Sequence, residues 1–121
     1  MKTGRKITGG KYHRNRKKKF IDRKGQPRIA FLKDETKRKQ IRTRSGYMKT
    51  ILLSTNNVNL SIKGKVQNAK IKNVLQTPQN VFLARQNILF KGAIIETSLG
   101  KARITNRPSQ EGQVNAVLLE E

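Results

Sequence analysis

Between residues 14 and 19 the chain reads Arg14-Asn15-Arg16-Lys17-Lys18-Lys19, five cations in six positions. Such a run repels itself unless anions lie alongside it. The phosphates of a nucleic acid fit, because each contact releases a condensed counterion whatever the base sequence. A solvated tail or an import signal would look the same locally. The flanks favour nucleic acid: Lys2, Arg5, Lys6 and Lys11 precede the cluster, and Arg23, Lys24 and Arg28 follow it. Within this segment Thr8-Gly9-Gly10-Lys11 places two glycines side by side. Their N–H groups suit either a phosphate-binding nest or a flexible hinge. The G-x-x-x-x-G-K-[S/T] spacing of nucleotide-hydrolysing loops is absent. Tyr12 and Phe20 stand among the charges with no core to receive them. They suit stacking on unpaired bases, or anchoring the segment against protein.

A second basic patch follows at Lys37-Arg38-Lys39, Arg42 and Arg44. If 41–44 is a strand, Arg42 and Arg44 share one face, opposite Ile41 and Thr43. That face continues the positive surface of the N-terminal segment; the alternative is an edge strand guarded by cations. Enzymatic chemistry finds little. There is no Cys, which removes thiolate metal sites, disulfides and Cys nucleophiles together, and a single His cannot form a metal cluster. His13 has no neighbouring carboxylate to orient it, so a phosphate-facing or exposed histidine is the expectation. Asp34-Glu35 is the one adjacent acid pair outside the C-terminus, and it sits among lysines and arginines. Nothing marks any Ser or Thr as activated. The expectation is a chain with no catalysis, cofactor, metal or small-molecule substrate.

Length and composition agree. A chain of 121 residues bounds one domain, and 34% hydrophobic content builds a thin core. A formal charge of +21 strains a compact state and calls for a polyanionic partner. The charge is lopsided: residues 1–50 hold 19 Lys+Arg and 3 acids, net +16, while residues 51–121 hold 9 and 4, net +5. No apolar run exceeds four residues, Val81–Ala84 and Ala116–Leu119 among them, far short of the roughly 20 of a membrane-spanning helix. The N-terminus has no apolar signal core, and Gly4, Gly9, Gly10 and Gly25 break any helical presequence. A soluble, intracellular chain is expected.

These charges need a frame to position them. From Met1 to Gly25 there is no apolar periodicity, so residues 1–39 read as an extended basic arm, disordered alone and ordered on its partner. Arg28–Leu32 is a short apolar patch suited to docking on the domain, and Asp34–Gln40 reads as a turn of helix. From residue 40 to 121 the pattern changes. Ile41–Arg44, Lys49–Ser54, Val58–Lys63, Ala69–Leu75, Ala93–Thr97, Lys101–Thr105 and Val114–Leu119 are β-rich runs at about ten-residue spacing. Turn residues punctuate them, at Ser45-Gly46, Asn56-Asn57, Gly64, Pro78, Gly92, Leu99-Gly100 and Pro108 through Gly112. Val58, Leu60 and Ile62 alternate with Asn59, Ser61 and Lys63 as in a half-buried strand. Asn80–Gln86 is the one helical turn of that region. The expected class is mainly β: a small antiparallel β-barrel of short strands, closed to hide its edges, carrying an extended basic N-terminal arm.

The strings Lys91-Gly92-Ala93-Ile94-Ile95-Glu96-Thr97, Gly100-Lys101-Ala102-Arg103-Ile104-Thr105, Arg107-Pro108 and Val114-Asn115-Ala116-Val117-Leu118 occur in that order. Together with Thr8-Gly9-Gly10, Lys37-Arg38-Lys39 and Arg42-Thr43-Arg44, they closely resemble the small-subunit ribosomal protein "eight" family of archaea and eukaryotes. The bacterial protein of the same number is unrelated. The short length resembles the archaeal form. The chain departs from the family pattern at Ser45-Gly46-Tyr47, where Gly-Gly-Asn is common, and at Ser109-Gln110-Glu111, where Gly-Gln-Asp is. The resemblance implies a β-barrel on the cytoplasmic small ribosomal subunit, with the arm threading into ribosomal RNA. It implies neighbouring ribosomal proteins as further partners, with no membrane and no homo-oligomer. Arg103 and Arg107, inside the resembling strings, complete the candidate RNA-binding set. Two other readings stand beside it: an assembly factor of the same family that visits precursor particles, and a nucleoid protein that compacts DNA.

Overall fold

The computed structural model of the chain describes residues 4–13, 15–22 and 28–119. Nine strands and two short helices run in the order β1 (Ala30–Leu32), β2 (Lys37–Arg42), β3 (Met48–Thr55), β4 (Asn57–Ile62), β5 (Lys65–Gln76), α1 (Val81–Arg85), β6 (Ile88–Leu89), β7 (Ile94–Thr97), β8 (Gly100–Ile104), α2 (Pro108–Glu111) and β9 (Asn115–Leu118). Strands β4, β5, β7, β8 and β9 close into a barrel, as the run of short β-rich segments predicts. The closing seam is parallel, with Leu60 of β4 opposite Ala116 of β9, so the barrel is antiparallel at every joint but one.

Local chemistry explains the joints. β4 and β5 meet at a two-residue loop, Lys63-Gly64, with both residues at positive φ (45° and 83°). This is the I′ geometry whose twist matches that of paired strands. The 12-residue β5 is too long to run straight around so small a barrel. Its register shifts between Ile71 and Asn73 and again between Val74 and Gln76. Each bulge bends the strand, and the buried positions step from Ala69 and Ile71 to Val74. The interior mixes large residues (Leu60, Ile95, Ile104) with Ala93, Ala102 and Ala116, all at most 2% exposed. Small residues among large ones are what the narrow bore of a five-stranded barrel admits.

A second sheet, not expected from the sequence, flanks the barrel in the order β2-β3-β1-β6. Its centre is β1, parallel to β3 and antiparallel to β6, with Ala30 fully buried. The apolar patch at Arg28–Leu32 therefore contributes a strand. The helical turn expected over Asp34–Gln40 is overturned: Lys37–Arg42 is strand β2, paired antiparallel with β3. Lys, Arg and Gln favour helix only weakly, and ladder pairing with the Ile/Leu-rich β3 outweighs that preference. The strand expected over Ile41–Arg44 ends at Arg42, so Arg44 sits in a turn and does not share a strand face with Arg42. In that turn the Thr43 N–H donates to the Tyr47 carbonyl (2.8 Å) and the Gly46 N–H to the Thr43 carbonyl (3.1 Å). The positive φ (88°) falls on Gly46, so Ser45 needs no glycine-like freedom.

α1 begins at Asn80, whose Oδ1 accepts the Phe82 N–H (2.9 Å). α2 has Pro108 in its first turn and closes on Gly112 at φ 74°. N-terminal to the sheets, the described residues do not run straight throughout. Arg5 and Lys11 form an antiparallel bridge around a turn in which the Lys6 N–H donates to the Gly10 carbonyl and the Gly9 N–H to the Lys6 carbonyl, both at 2.9 Å. A single 3-10 turn covers Phe20–Asp22.

Candidate nucleic-acid interface

The N-terminal cations are exposed throughout the described residues, and two short-range devices shape them. In the first turn, Arg5 Nη1 donates to the Gly9 carbonyl (3.3 Å) and Lys6 Nζ lies 5.7 Å from the centroid of the Tyr12 ring. Thr8, Gly9 and Gly10 form its tip, but the Gly9 N–H is committed to Lys6, so the two glycines do not present a free pair of donors. Tyr12 is 53% exposed, and His13 is exposed beside it. In the second turn, Asp22 accepts from Arg16 Nη2 (2.7 Å) and from the Lys19 N–H (3.2 Å). That carboxylate offsets the charge of Arg16 and leaves the side chains of Lys17, Lys18 and Lys19 on the surface. Phe20, at 87% exposure, projects beside them with no apolar cover. Arg28 is exposed just before β1. Lys2, Arg14, Arg23 and Lys24 lie outside the described residues.

The second patch forms one edge of the flanking sheet, since β2 pairs with β3 alone. Arg38 and Arg42 alternate with Lys39 and Ile41 along the strand. Each of these cations is exposed, and Arg44 extends the row into the turn beyond. Lys37 forms an exposed pair with Glu35 (3.0 Å), a contact of little energetic weight. Arg38 is different, because its Nε donates to the Gly112 carbonyl (2.9 Å) and holds β2 against α2. It is a structural tie as well as a surface charge.

Arg103 on β8 and Arg107 at the start of α2 are four residues apart in sequence, and the fold brings them to one pocket of about 670 Å³. The third cation there is Lys91, which was not among the candidates. The signal for it lay in Lys91-Gly92, a cation at a tight turn directly before a strand. The Gln79 side chain walls the pocket by donating to the Lys91 carbonyl (2.8 Å). Gly92, at φ 82°, permits this approach; a Cβ there would lie 3.3 Å from Gln79 Nε2. Further exposed cations outside the candidate set lie on the barrel, with Lys63 and Lys65 at the β4–β5 hairpin and Lys70 and Lys72 along β5. They are separated from one another by other residues and form no run in the sequence.

Among the described residues no group of His, Asp or Glu could hold a metal ion, and no helix is long and apolar enough to cross a membrane. Among the described residues the surface thus offers three sets of cations: the N-terminal turns, the β2 edge and the pocket beside α2. Charge spread in this way suits a ligand that carries phosphates along its length.

The family model for ribosomal protein S8e matches residues 1–119. "Small ribosomal subunit protein eS8" of Haloquadratum walsbyi is 44% identical over 117 residues, spanning 97% of this chain and 93% of that protein. Its namesake in Methanocorpusculum labreanum is 43% identical over 121 residues, covering 98% and 96%. The Haloarcula marismortui protein of the same name is 40% identical over 116 residues, covering 96% and 94%. With nearly end-to-end matches on both sides, the chain belongs to the ribosomal protein S8e family.

Proposed function

We propose that this chain is a structural constituent of the small ribosomal subunit, binding ribosomal RNA and stabilising the folded particle in the cytoplasm. The observation that carries this reading is full-length family membership joined to a net charge of +16 within the first 50 residues. The relatives are named as small-subunit proteins, and such proteins meet ribosomal RNA and neighbouring ribosomal proteins. The basic arm ahead of β1 neutralises phosphates where RNA helices crowd together. The folded domain that begins with β1 docks on the particle surface and fixes where the arm begins. Phosphate contacts position the protein and carry no base information, so RNA shape supplies most of the specificity.

Sedimentation tests this reading. A native lysate is fractionated on a density gradient after a wash in about 0.5 M salt, where attraction to phosphates alone weakens steeply. The expected result is retention on mature small subunits at one copy per particle. Presence on precursor particles alone would replace the reading with that of an assembly factor. Release into the soluble or DNA-bound fraction would overturn it.

A further inference from the structure

The pocket beside α2 has a composition that phosphate neutralisation alone does not require. Its floor is apolar, made by Leu89, Ile104 and Pro108, each almost fully buried, and Phe90 stands half-exposed at its side. Its rim carries Lys91, Arg103 and Arg107, with no Asp or Glu among the described residues of the lining. Among the described residues none of these three cations forms an ion pair. Gln110 and Ser109 of α2 add hydrogen-bonding groups, and Gln79 opposite uses its amide nitrogen on Lys91.

Both walls are fixed before any ligand arrives. On one side the Phe90–Ala93 turn is closed by the Ala93 N–H to the Phe90 carbonyl (3.1 Å), and the Gly92 N–H is pinned to the Ile104 carbonyl (2.8 Å). On the other, Asn106 braces the α2 loop: its Nδ2 donates to Glu111 (2.9 Å) and to the Gln113 carbonyl (2.9 Å), and its Oδ1 accepts the Asn115 N–H (3.0 Å). A pre-formed pocket avoids the ordering cost of binding. At about 670 Å³ it lies within the small-molecule range of roughly 300–1,000 Å³.

We propose that this pocket receives a single unpaired nucleotide of RNA, its base laid against Phe90 over the apolar floor and its phosphates held by Lys91, Arg103 and Arg107. The inference rests on the ribosomal RNA reading and deepens it by giving one site a base-sized ligand. A duplex backbone would use the cations and leave the floor empty. An acidic peptide would use the cations but has no flat ring to match Phe90. An unpaired base on an aromatic face with cations at its phosphates uses all three features.

The test uses the full chain and backbone amide NMR, with the four nucleoside 5′-monophosphates as probes and ribose 5-phosphate as the base-free control. At least one nucleotide is expected to shift the Gly92, Arg103 and Ser109 amides saturably, with affinity at least tenfold above that of ribose 5-phosphate. Phe90→Ala should erase that advantage. Arg103→Gln, on an exposed strand face, should weaken nucleotide and control alike, and the spectra themselves show whether each variant is folded. Equal response to ribose 5-phosphate would reduce the pocket to an anion site and overturn the proposal. So would shifts confined to residues 4–22, or equal displacement by an oligoglutamate peptide. Binding of the full chain to small-subunit ribosomal RNA is measured separately. Loss there with nucleotide binding intact would sink the ribosomal reading alone, and the converse would sink the pocket alone.

Discussion

Arg38 and Gly112 are 74 residues apart, and the Nε–H of Arg38 donates to the Gly112 carbonyl at 2.9 Å. The bond joins the edge strand of the flanking sheet to the C-terminal end of α2, so a residue in the most basic third of the chain helps hold the loop that carries Arg107. Arg suits the role, since its fork keeps further donors on the surface while Nε is engaged. Arg38→Ala should lower stability by about 1 kcal/mol, and Arg38→Lys should not restore it because the ammonium cannot reproduce the fork. Urea denaturation checks this. Unchanged midpoints would mean the bond contributes nothing net.

The acceptor end is more tightly constrained. A Cβ on Gly112 would lie 3.1 Å from Thr50 Cγ2 and 3.3 Å from the Thr50 carbonyl oxygen, and its φ is 74°. Gly64 has a similar φ of 83° with nothing within 4 Å of the same position. Gly64→Ala therefore isolates the backbone penalty, about 1–2 kcal/mol. Gly112→Ala should exceed it by about 1 kcal/mol or more, through crowding against β3. Equal losses in thermal or urea melts would show that Thr50 yields freely.

The barrel was legible because its strands are short, β-branched and separated by turn residues; Val58, Leu60 and Ile62 alternate in the sequence as they do in burial. In the flanking sheet β3 was legible as the run Lys49–Ser54, but the strands that pair with it were not. Lys37–Arg42 carries four cations and one half-buried Ile, a composition with no period-2 apolar signal, and only its ladder with Met48–Thr55 makes it a strand. β6 is two residues long, too short for any pattern. At the candidate site, the dense cation runs stood out because they are contiguous. Lys91, Arg103 and Arg107 converge through a turn, a strand and a helix start, and adjacency of that kind exists only after β7 and β8 have paired.

Asn106 makes three hydrogen bonds, donating from Nδ2 to Glu111 and to the Gln113 carbonyl and accepting the Asn115 N–H at Oδ1. Asn106→Ala removes all three and should cost about 1–3 kcal/mol. Asn106→Asp keeps the acceptor but loses both donors and sets a carboxylate against Glu111, so it should be no better than Ala. Hydrogen exchange at the Asn115 amide gives the local reading, with faster exchange expected in both variants. Preserved protection in Asn106→Asp would mean that the single acceptor bond shapes the loop.

Lys17, Lys18 and Lys19 are exposed, and the only carboxylate described in their turn, Asp22, is occupied by Arg16 at 2.7 Å and by the Lys19 backbone. Their ammonium groups are therefore open to phosphates. Each lost contact removes about 0.7 from the salt slope on single strands and about 0.9 on duplex. Replacing all three with Ala should flatten the slope by about 2 to 3 units in total, with affinity for ribosomal RNA falling most at low salt. Arg16→Ala, which removes a charge already offset by Asp22, should change the slope by less than any one of these lysines. Filter binding across a salt series reads both. If the triple variant matched the wild type in affinity and slope, the cluster would be a solvated run, and the β2 edge and barrel cations would have to carry the RNA.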